Sequence, residues 1–199
     1  MANEPYMEFL RGPEIGQRLE QLAELRMTVF GDWPYLYDGT MEQERYFLRF
    51  YLDSPDTLAC VVVDNDQAVG LSTAMPLMDE DPVLRQPFEE QGFDPERICY
   101  LAESILLPEY RGRGFYRRFF EAREEHARKL GGYDYTAFCS VERPKDHPRR
   151  PPDYQPLDPI WKHFGYEPRE DLVAYYAWKD HDDEHETPKP LKFWLKPVA

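Results

Sequence analysis

The sequence predicts a mixed α/β fold in which a twisted, mostly antiparallel sheet is flanked by helices. Three observations carry this. Short runs rich in β-branched residues alternate with amphipathic helical stretches along the chain. Two of those runs, 58–63 and 68–77, are joined by a turn and read as an antiparallel hairpin. The run 98–107, the helix after it and the run 135–141 form a strand–loop–helix–strand unit whose right-handed crossover makes its two strands parallel. At 199 residues the chain fits one domain. Its core covers about 6–179, with an extension and last strand over 180–199.

Each element has a local reason. Residues 6–10 form a short first strand. Ile15, Leu19 and Leu22 recur at helical spacing, with Val29 and Phe30 near the end, so 14–29 reads as a helix broken by Gly31-Asp32-Trp33-Pro34. Thr40 and Gln43 form a capping-box pattern that opens a second helix through about Tyr51, and Asp53-Ser54-Pro55 stops it. Asp64-Asn65-Asp66-Gln67 is a four-residue hairpin connection. Residues 79–97 are acidic and carry Pro82, Pro87 and Pro95, which reads as an inserted loop with about one helical turn. In the helix 114–130, Phe115, Phe119 and Ala122 face one way with Leu130 further along that side, and Gly131-Gly132 ends it. Residues 143–160 hold six prolines and form a stiff, irregular loop. A short helix near 158–163, a strand over 172–179, a loose charged stretch over 180–189 and a last strand over 192–196 complete the chain.

Composition narrows the function. A net charge of −14 argues against non-specific nucleic-acid binding. It suits cationic partners such as amines or basic peptides, and equally plain solubility. Cys60, Cys99 and Cys139 lie far apart in apolar runs without a CxxC pair, which fits buried free thiols in a reducing compartment. The N-terminus has no basic segment followed by an apolar one, and no apolar run approaches membrane-spanning length. The expected location is the cytoplasm, with no membrane partner.

The most informative stretch is Pro108-Glu109-Tyr110-Arg111-Gly112-Arg113-Gly114-Phe115-Tyr116. Glycines there let the backbone turn tightly and approach a ligand. Unpaired N–H groups at the start of the following helix converge on one spot, where the helix dipole also favours negative charge. Arg111, Arg113, Arg117 and Arg118 place four cations in eight residues without an acid among them. The alternative reading is a solvated basic helix face.

These residues resemble the fingerprint of the GNAT N-acetyltransferase superfamily, Arg/Gln-x-x-Gly-x-Gly/Ala after a strand that ends in an aliphatic triplet. Arg111 and Gly114 match, and Ile105-Leu106-Leu107 is the triplet. Tyr116 stands where the family has Gly or Ala. Trp161-Lys162-His163-Phe164-Gly165-Tyr166 looks like the family's Tyr-x-x-Leu-Gly-Phe segment, with Trp161 where many members carry a tyrosine proposed as general acid. The order of elements is similar over roughly 6–196, so the expected fold is the GNAT fold, with a β-α-β unit for acetyl-CoA.

The resemblance implies acetyl transfer from acetyl-CoA, as cosubstrate and without a metal, to a primary amine on a small molecule or peptide, in a ternary complex. The cosubstrate would lie on Arg111, Gly112, Arg113, Gly114, Phe115 and Tyr116, with Ile105 and Leu107 along the pantetheine and the Leu106 N–H meeting the oxyanion. Alternation puts Glu103 on one strand face with Leu101, Ile105 and Leu107. It is the candidate base, or else a structural partner of Arg26. Tyr154 and Tyr166 are candidate acids, or packing residues. Trp33, Tyr35, Tyr37 and Asp38 fall in the region that lines the acceptor site in the family, and an aromatic wall with an acid suits a cation. The rival function is a GNAT-fold module that binds acyl-CoA as a sensor or scaffold without turnover.

Other constellations carry less. Walker, Rossmann and Gly-x-Ser-x-Gly motifs are absent. The run 181–186 reads as solvated charge rather than a metal site. Cys139 has no adjacent His or basic residue to activate it. Glu142 and Arg143 end a strand where acceptor or cosubstrate contacts occur. The aromatic last strand, with Phe193 and Trp194 taken as exposed, offers a homodimer surface.

Overall fold

The computed structural model describes residues 4–198. In chain order the elements are β1 (Tyr6–Arg11), α1 (Leu19–Phe30), α2 (Met41–Asp53), β2 (Leu58–Asp64), β3 (Gln67–Pro76), α3 (Pro82–Glu90), β4 (Ile98–Tyr100), β5 (Ser104–Leu106), α4 (Phe115–Leu130), β6 (Tyr135–Val141), α5 (Asp158–His163), β7 (Glu167–Trp178) and β8 (Thr187–Pro197). The sheet runs β1-β2-β3-β4-β6-β8-β7, with β5 paired to β3. The β4–β6 pair is parallel, and the other pairs are antiparallel. Helices α1, α2 and α3 cover one face through two apolar clusters, while α4 and α5 cover the other. No helix among the described residues is long and apolar enough to cross a membrane.

The expected strand over 98–107 is broken in two, and the break positions the site. From Ser72 to Met75 strand β3 advances three residues, while the facing chain advances four, from Ser104 back to Tyr100. The extra residue is a β-bulge, which flips the alternation of side chains. Ile98, Tyr100 and Ala102 face α1–α3, and beyond the bulge so do Ile105 and the Arg26-bound Glu103. Leu101 instead packs with Phe120, Phe138 and Trp194 on the α4 face. Uninterrupted alternation therefore fails for Leu101, which does not share a face with Glu103.

Several local expectations are corrected. The first helix begins as a 3-10 segment over Gly12–Arg18 and becomes α-helical only at Leu19. The hairpin has a two-residue connection, because Asp64 pairs with Gln67 and both Asn65 and Asp66 take positive φ, 47° and 64°. The acidic insertion contains the nine-residue α3, with Pro82 in its first turn and Asp81 capping the Val83 N–H at 2.9 Å. Leu130 is more than a third exposed. The stretch after β7 is tied down rather than loose: Asp180 and Lys189 are buried, and Lys189 Nζ lies 3.2 Å from Asp180. Phe193 and Trp194 are buried on opposite faces of the sheet, so the exposed surface expected there for a homodimer does not exist. The capping box at Thr40 and Gln43 forms as expected, as do β6 and α5.

Candidate active site

The bulge opens the sheet. The Leu101 N–H still reaches the Ala137 carbonyl of β6, but β5 turns to β3. The Leu107 N–H donates to the Val69 carbonyl and the Thr73 N–H to the Glu103 carbonyl, so odd-numbered residues of this segment face β3. By strand alternation the Leu106 N–H points the other way, across the opening towards β6. The Leu106 carbonyl accepts from Arg111 Nε at 3.2 Å, which folds the following loop back over the strand end.

That loop leads into α4. Gly112 and Gly114 take φ of +75° and +83°, and a Cβ at either would meet nothing within 4 Å. The left-handed backbone, rather than crowding, is what requires glycine here. Gly114 caps α4 without a side chain, leaving the N–H groups of its first turn directed outward. Arg113 lies over the Tyr110 ring at 5.1 Å and Arg118 over Phe115 at 5.6 Å, both guanidinium groups at the surface. The Phe115 side chain is buried and anchors the helix start in the core, so only its backbone is free for a ligand. The two departures from the family pattern touch each other: Trp161 Nε1 donates to the Tyr116 hydroxyl at 2.8 Å, joining α5 to the start of α4.

On the opposite face lies a cavity of about 150 Å³. Aromatic rings from Tyr35, Tyr37, Phe47, Tyr176 and Trp178 line it, together with Glu80, Asp81, Glu103 and Arg26. Arg26 on α1 bridges two carboxylates. Its Nε donates to Glu44 at 2.5 Å and its Nη1 to Glu103, and its guanidinium stacks on Phe30 at 4.9 Å. Glu103 Oε1, Glu44 Oε1 and the Tyr37 hydroxyl make no hydrogen bond within 3.5 Å among the described residues, with the Tyr51 hydroxyl the neighbour of Glu103 and Glu44 that of Tyr37. Burial pushes the Glu103 carboxyl up, while the Arg26 charge pulls it down. Burial raises Glu80 to about 7, against one hydrogen bond from the Asp81 N–H at 3.0 Å.

The cavity wall is held from the far end of the sheet. Arg143, just after β6, donates to both oxygens of Asp180 at 2.7 and 2.9 Å and to the carbonyls of Pro34 and Tyr35. Trp178 Nε1 shares the Tyr35 carbonyl at 3.0 Å. Cys139 reaches the cavity but sits 3.0 Å from the Tyr100 hydroxyl, and burial raises its thiol to about 12. It stays protonated and is no nucleophile at neutral pH.

Of the residues singled out in the sequence, the structure gathers Tyr35, Tyr37 and Glu103 around the cavity, and 111–116 around the start of α4. Ile105, Leu106 and Leu107 lie at the strand end beside that loop, whereas Trp33, Asp38, Tyr154 and Tyr166 lie elsewhere. Trp33 packs against His147 and Tyr154, at ring distances of 5.1 and 5.8 Å, outside the cavity lining. Asp38 is exposed and held by Lys179 at 2.6 Å. Tyr166 is fully buried, bonded to Thr136 and Glu124. Glu80, Asp81, Tyr176 and Trp178 went unnoticed. The Asp81-Pro82 helix start was a local signal for the first two, whereas nothing near Tyr176 or Trp178 in the chain marks them.

A strand split beside an open helix N-terminus, with a carboxylate-lined cavity on the other face, gives the site an anion-accepting side and an acidic side. The Acetyltransferase (GNAT) family matches over residues 19–151, and the chain belongs to that family. It is thus an acyltransferase by family. The fold agrees. Arabidopsis thaliana NAA60, in complex with a bisubstrate analogue, is 13% identical with a TM-score of 0.62, over 98% of this chain and 99% of that one. The loading GNATL domain of CurA from Lyngbya majuscula is 14% identical with a TM-score of 0.62, over 97% and 98%. An aminoglycoside 6'-N-acetyltransferase complexed with coenzyme A is 13% identical with a TM-score of 0.56, over 96% and 97%. No curated protein sequence matches the chain.

Proposed function

We propose that this protein is a cytoplasmic N-acetyltransferase that moves acetyl from acetyl-CoA to a primary amine in a ternary complex. One observation carries the reading. Where β5 leaves β6 for β3, the sheet carries a glycine loop with outward N–H groups at one end of α4, and a carboxylate-lined cavity that includes Glu103 on its opposite face. The residues suit the cosubstrate: open space above Gly112 and Gly114, outward N–H groups at the start of α4, and arginines at the rim. The aminoglycoside enzyme complexed with coenzyme A and NAA60 in complex with a bisubstrate analogue support a coenzyme A cosubstrate.

In this reading the backbone of 111–116 binds the pyrophosphate, and Arg111 and Arg113 add charge. Ile105, Leu106 and Leu107 border the pantetheine. Bound acetyl-CoA supplies an activated acyl carbon, and the Leu106 N–H meets the charge that develops on its oxygen. Tyr35 and Tyr37 line the acceptor side, with Trp33 and Asp38 supporting the loop that carries them. Glu103 keeps Oε1 free to receive the amine while Oε2 holds Arg26. A thiolate with an ordinary pKa near ~8.5 leaves without strong acid assistance. A proton from Tyr154 requires its loop to swing toward the opening. Three free thiols support the reducing compartment.

Calorimetric titration with acetyl-CoA tests this. Wild type is expected to bind in the micromolar range. Gly114→Trp should lower affinity at least tenfold, because the new side chain enters the open space above the helix start, whereas Gly114→Ala, which carries the same left-handed backbone cost of about 1–2 kcal/mol, should bind nearly as wild type. No binding by wild type would overturn the assignment. Binding without turnover across a broad amine panel would favour the sensor reading.

A further inference from the structure

The cavity is unevenly charged, and the imbalance identifies what it takes. Glu80, Asp81 and Glu103 line it against one cation, Arg26, which also neutralises Glu44 behind it. Asp81 is occupied, accepting from the Tyr176 hydroxyl at 2.8 Å and the Val83 N–H at 2.9 Å. Glu103 spends one oxygen on Arg26. Glu80 receives one backbone N–H on Oε1 and no cation among the described residues. A buried carboxylate that no cation of the protein neutralises is costly in its charged form, so it takes up a proton or a cationic ligand. Glu103 Oε1 and the Tyr37 hydroxyl, on residues more than nine-tenths buried, make no close hydrogen bond and face only the Tyr51 hydroxyl and Glu44, so both can turn to a ligand on the same lining. The remaining wall is largely aromatic with Leu84, Ala102, Cys139 and Leu191, and its space of about 150 Å³, open to solvent on one side, has room for a group the size of a benzene ring.

Resting on the N-acetyltransferase reading, we propose that the acceptor is a small monoamine, one ammonium on a compact aromatic or aliphatic body, and that Glu80 takes its proton. Glu103 Oε1 and the Tyr37 hydroxyl then hold the nitrogen while the rings enclose the body. The step balances. The ammonium gives one proton to the Glu80 carboxylate, and the freed lone pair forms the N–C bond to the thioester carbonyl carbon. The C–S bond breaks with its electron pair on sulfur. The second proton of the nitrogen passes to that thiolate, leaving amide and thiol, and Glu80 returns its proton to solvent.

The surroundings of Glu80 suit the task. Burial raises its carboxyl, Glu103 and Asp81 push the same way, and Arg26 and the Asp81 N–H oppose them. The hydroxyls of Tyr51, Tyr100 and Tyr176 and the Cys139 thiol also sense its charge, each raised itself. A carboxylate that titrates near neutrality combines a populated basic form with real proton affinity.

The test uses benzylamine and its uncharged counterpart, benzyl alcohol, on the full chain saturated with coenzyme A at pH 7.5. Wild type should bind the amine at least tenfold more tightly than the alcohol. Glu80→Gln should erase that difference while acetyl-CoA affinity stays unchanged. With benzylamine and acetyl-CoA as substrates, Glu80→Gln should lower kcat/KM about 100-fold. It should also remove the acidic limb of the pH profile near 7, and Glu80→Asp should restore that limb at reduced rate. Equal binding of amine and alcohol by wild type overturns the proposal whether or not any variant folds. So does a Glu80→Gln enzyme that keeps the wild-type rate and pH limb. Failure of wild type to bind acetyl-CoA sinks the acetyltransferase reading instead, and the benzylamine comparison on the protein alone still decides the cavity.

Discussion

The two sides of the opening are built in opposite ways. The loop 111–114 and the start of α4 are exposed, contiguous in sequence and held by few contacts, with glycine conformations and backbone N–H groups as their main asset. The cavity is lined mostly by buried side chains and assembled from α1, the loop after it, α2, the turn before α3, the bulge between β4 and β5, β6 and the end of β7. Its polarity rests on side chains that the fold must neutralise. An anion site made from backbone costs the fold little, because its donors would otherwise face water. A cation site made from carboxylates in a low-dielectric wall is coupled to stability at every group.

The comparison can be broken most sharply at Arg26. Arg26→Met leaves Glu44 and Glu103 buried without a cation and should cost about 3–5 kcal/mol, read as a shift of the urea midpoint. Little loss would mean that the cavity is wetter or looser than its packing indicates.

Glu80 sets the next effect. Its carboxyl titrates near 7 when folded against an ordinary 4.5, so the folded state binds the proton more tightly than the unfolded chain. The resulting stability is fully present below about pH 4.5 and lost as pH rises to about 7. The expected decline is on the order of 3 kcal/mol, and urea titrations of wild type and Glu80→Gln across that window should differ by this slope.

Smaller effects are expected on the loop. Gly114→Ala forces a Cβ into left-handed backbone and should cost about 1–2 kcal/mol in thermal unfolding. Arg113→Glu should move stability by less than about 0.5 kcal/mol, yet weaken acetyl-CoA binding in a salt-dependent way. A large stability loss there would erase the contrast between the two sides.

Much of the loop was legible because its information is local. Arg111-Gly112-Arg113-Gly114 between a strand and a helix specifies both backbone and charge within one turn. The capping box at Thr40 and the strand 135–141 were readable for the same reason. The bulge was not. Ile98 through Leu107 reads as one β-run, and only register against β3 on one side and β6 on the other reveals the extra residue. Phe193 and Trp194 look like an exposed aromatic edge until β7 and β6 close over both sides of their strand. Asp180 and Lys189 belong to a charge-rich stretch that only Arg143 and Asp183 turn into a buried network.

By itself, then, the chain's sequence determined the class of fold, from the order of strands and helices along its length, and pointed to the family and the glycine-rich start of α4, from a motif of about a dozen residues. Tertiary structure alone decided where the sheet parts, that Arg26 binds Glu44 and Glu103, and that Glu80 lines the cavity with one backbone N–H and no cation among the described residues. These facts depend on residues 18 to 77 positions apart meeting in a low-dielectric space. There the energy of a charge is set by its neighbours, and neighbours that distant leave no periodic trace in the sequence.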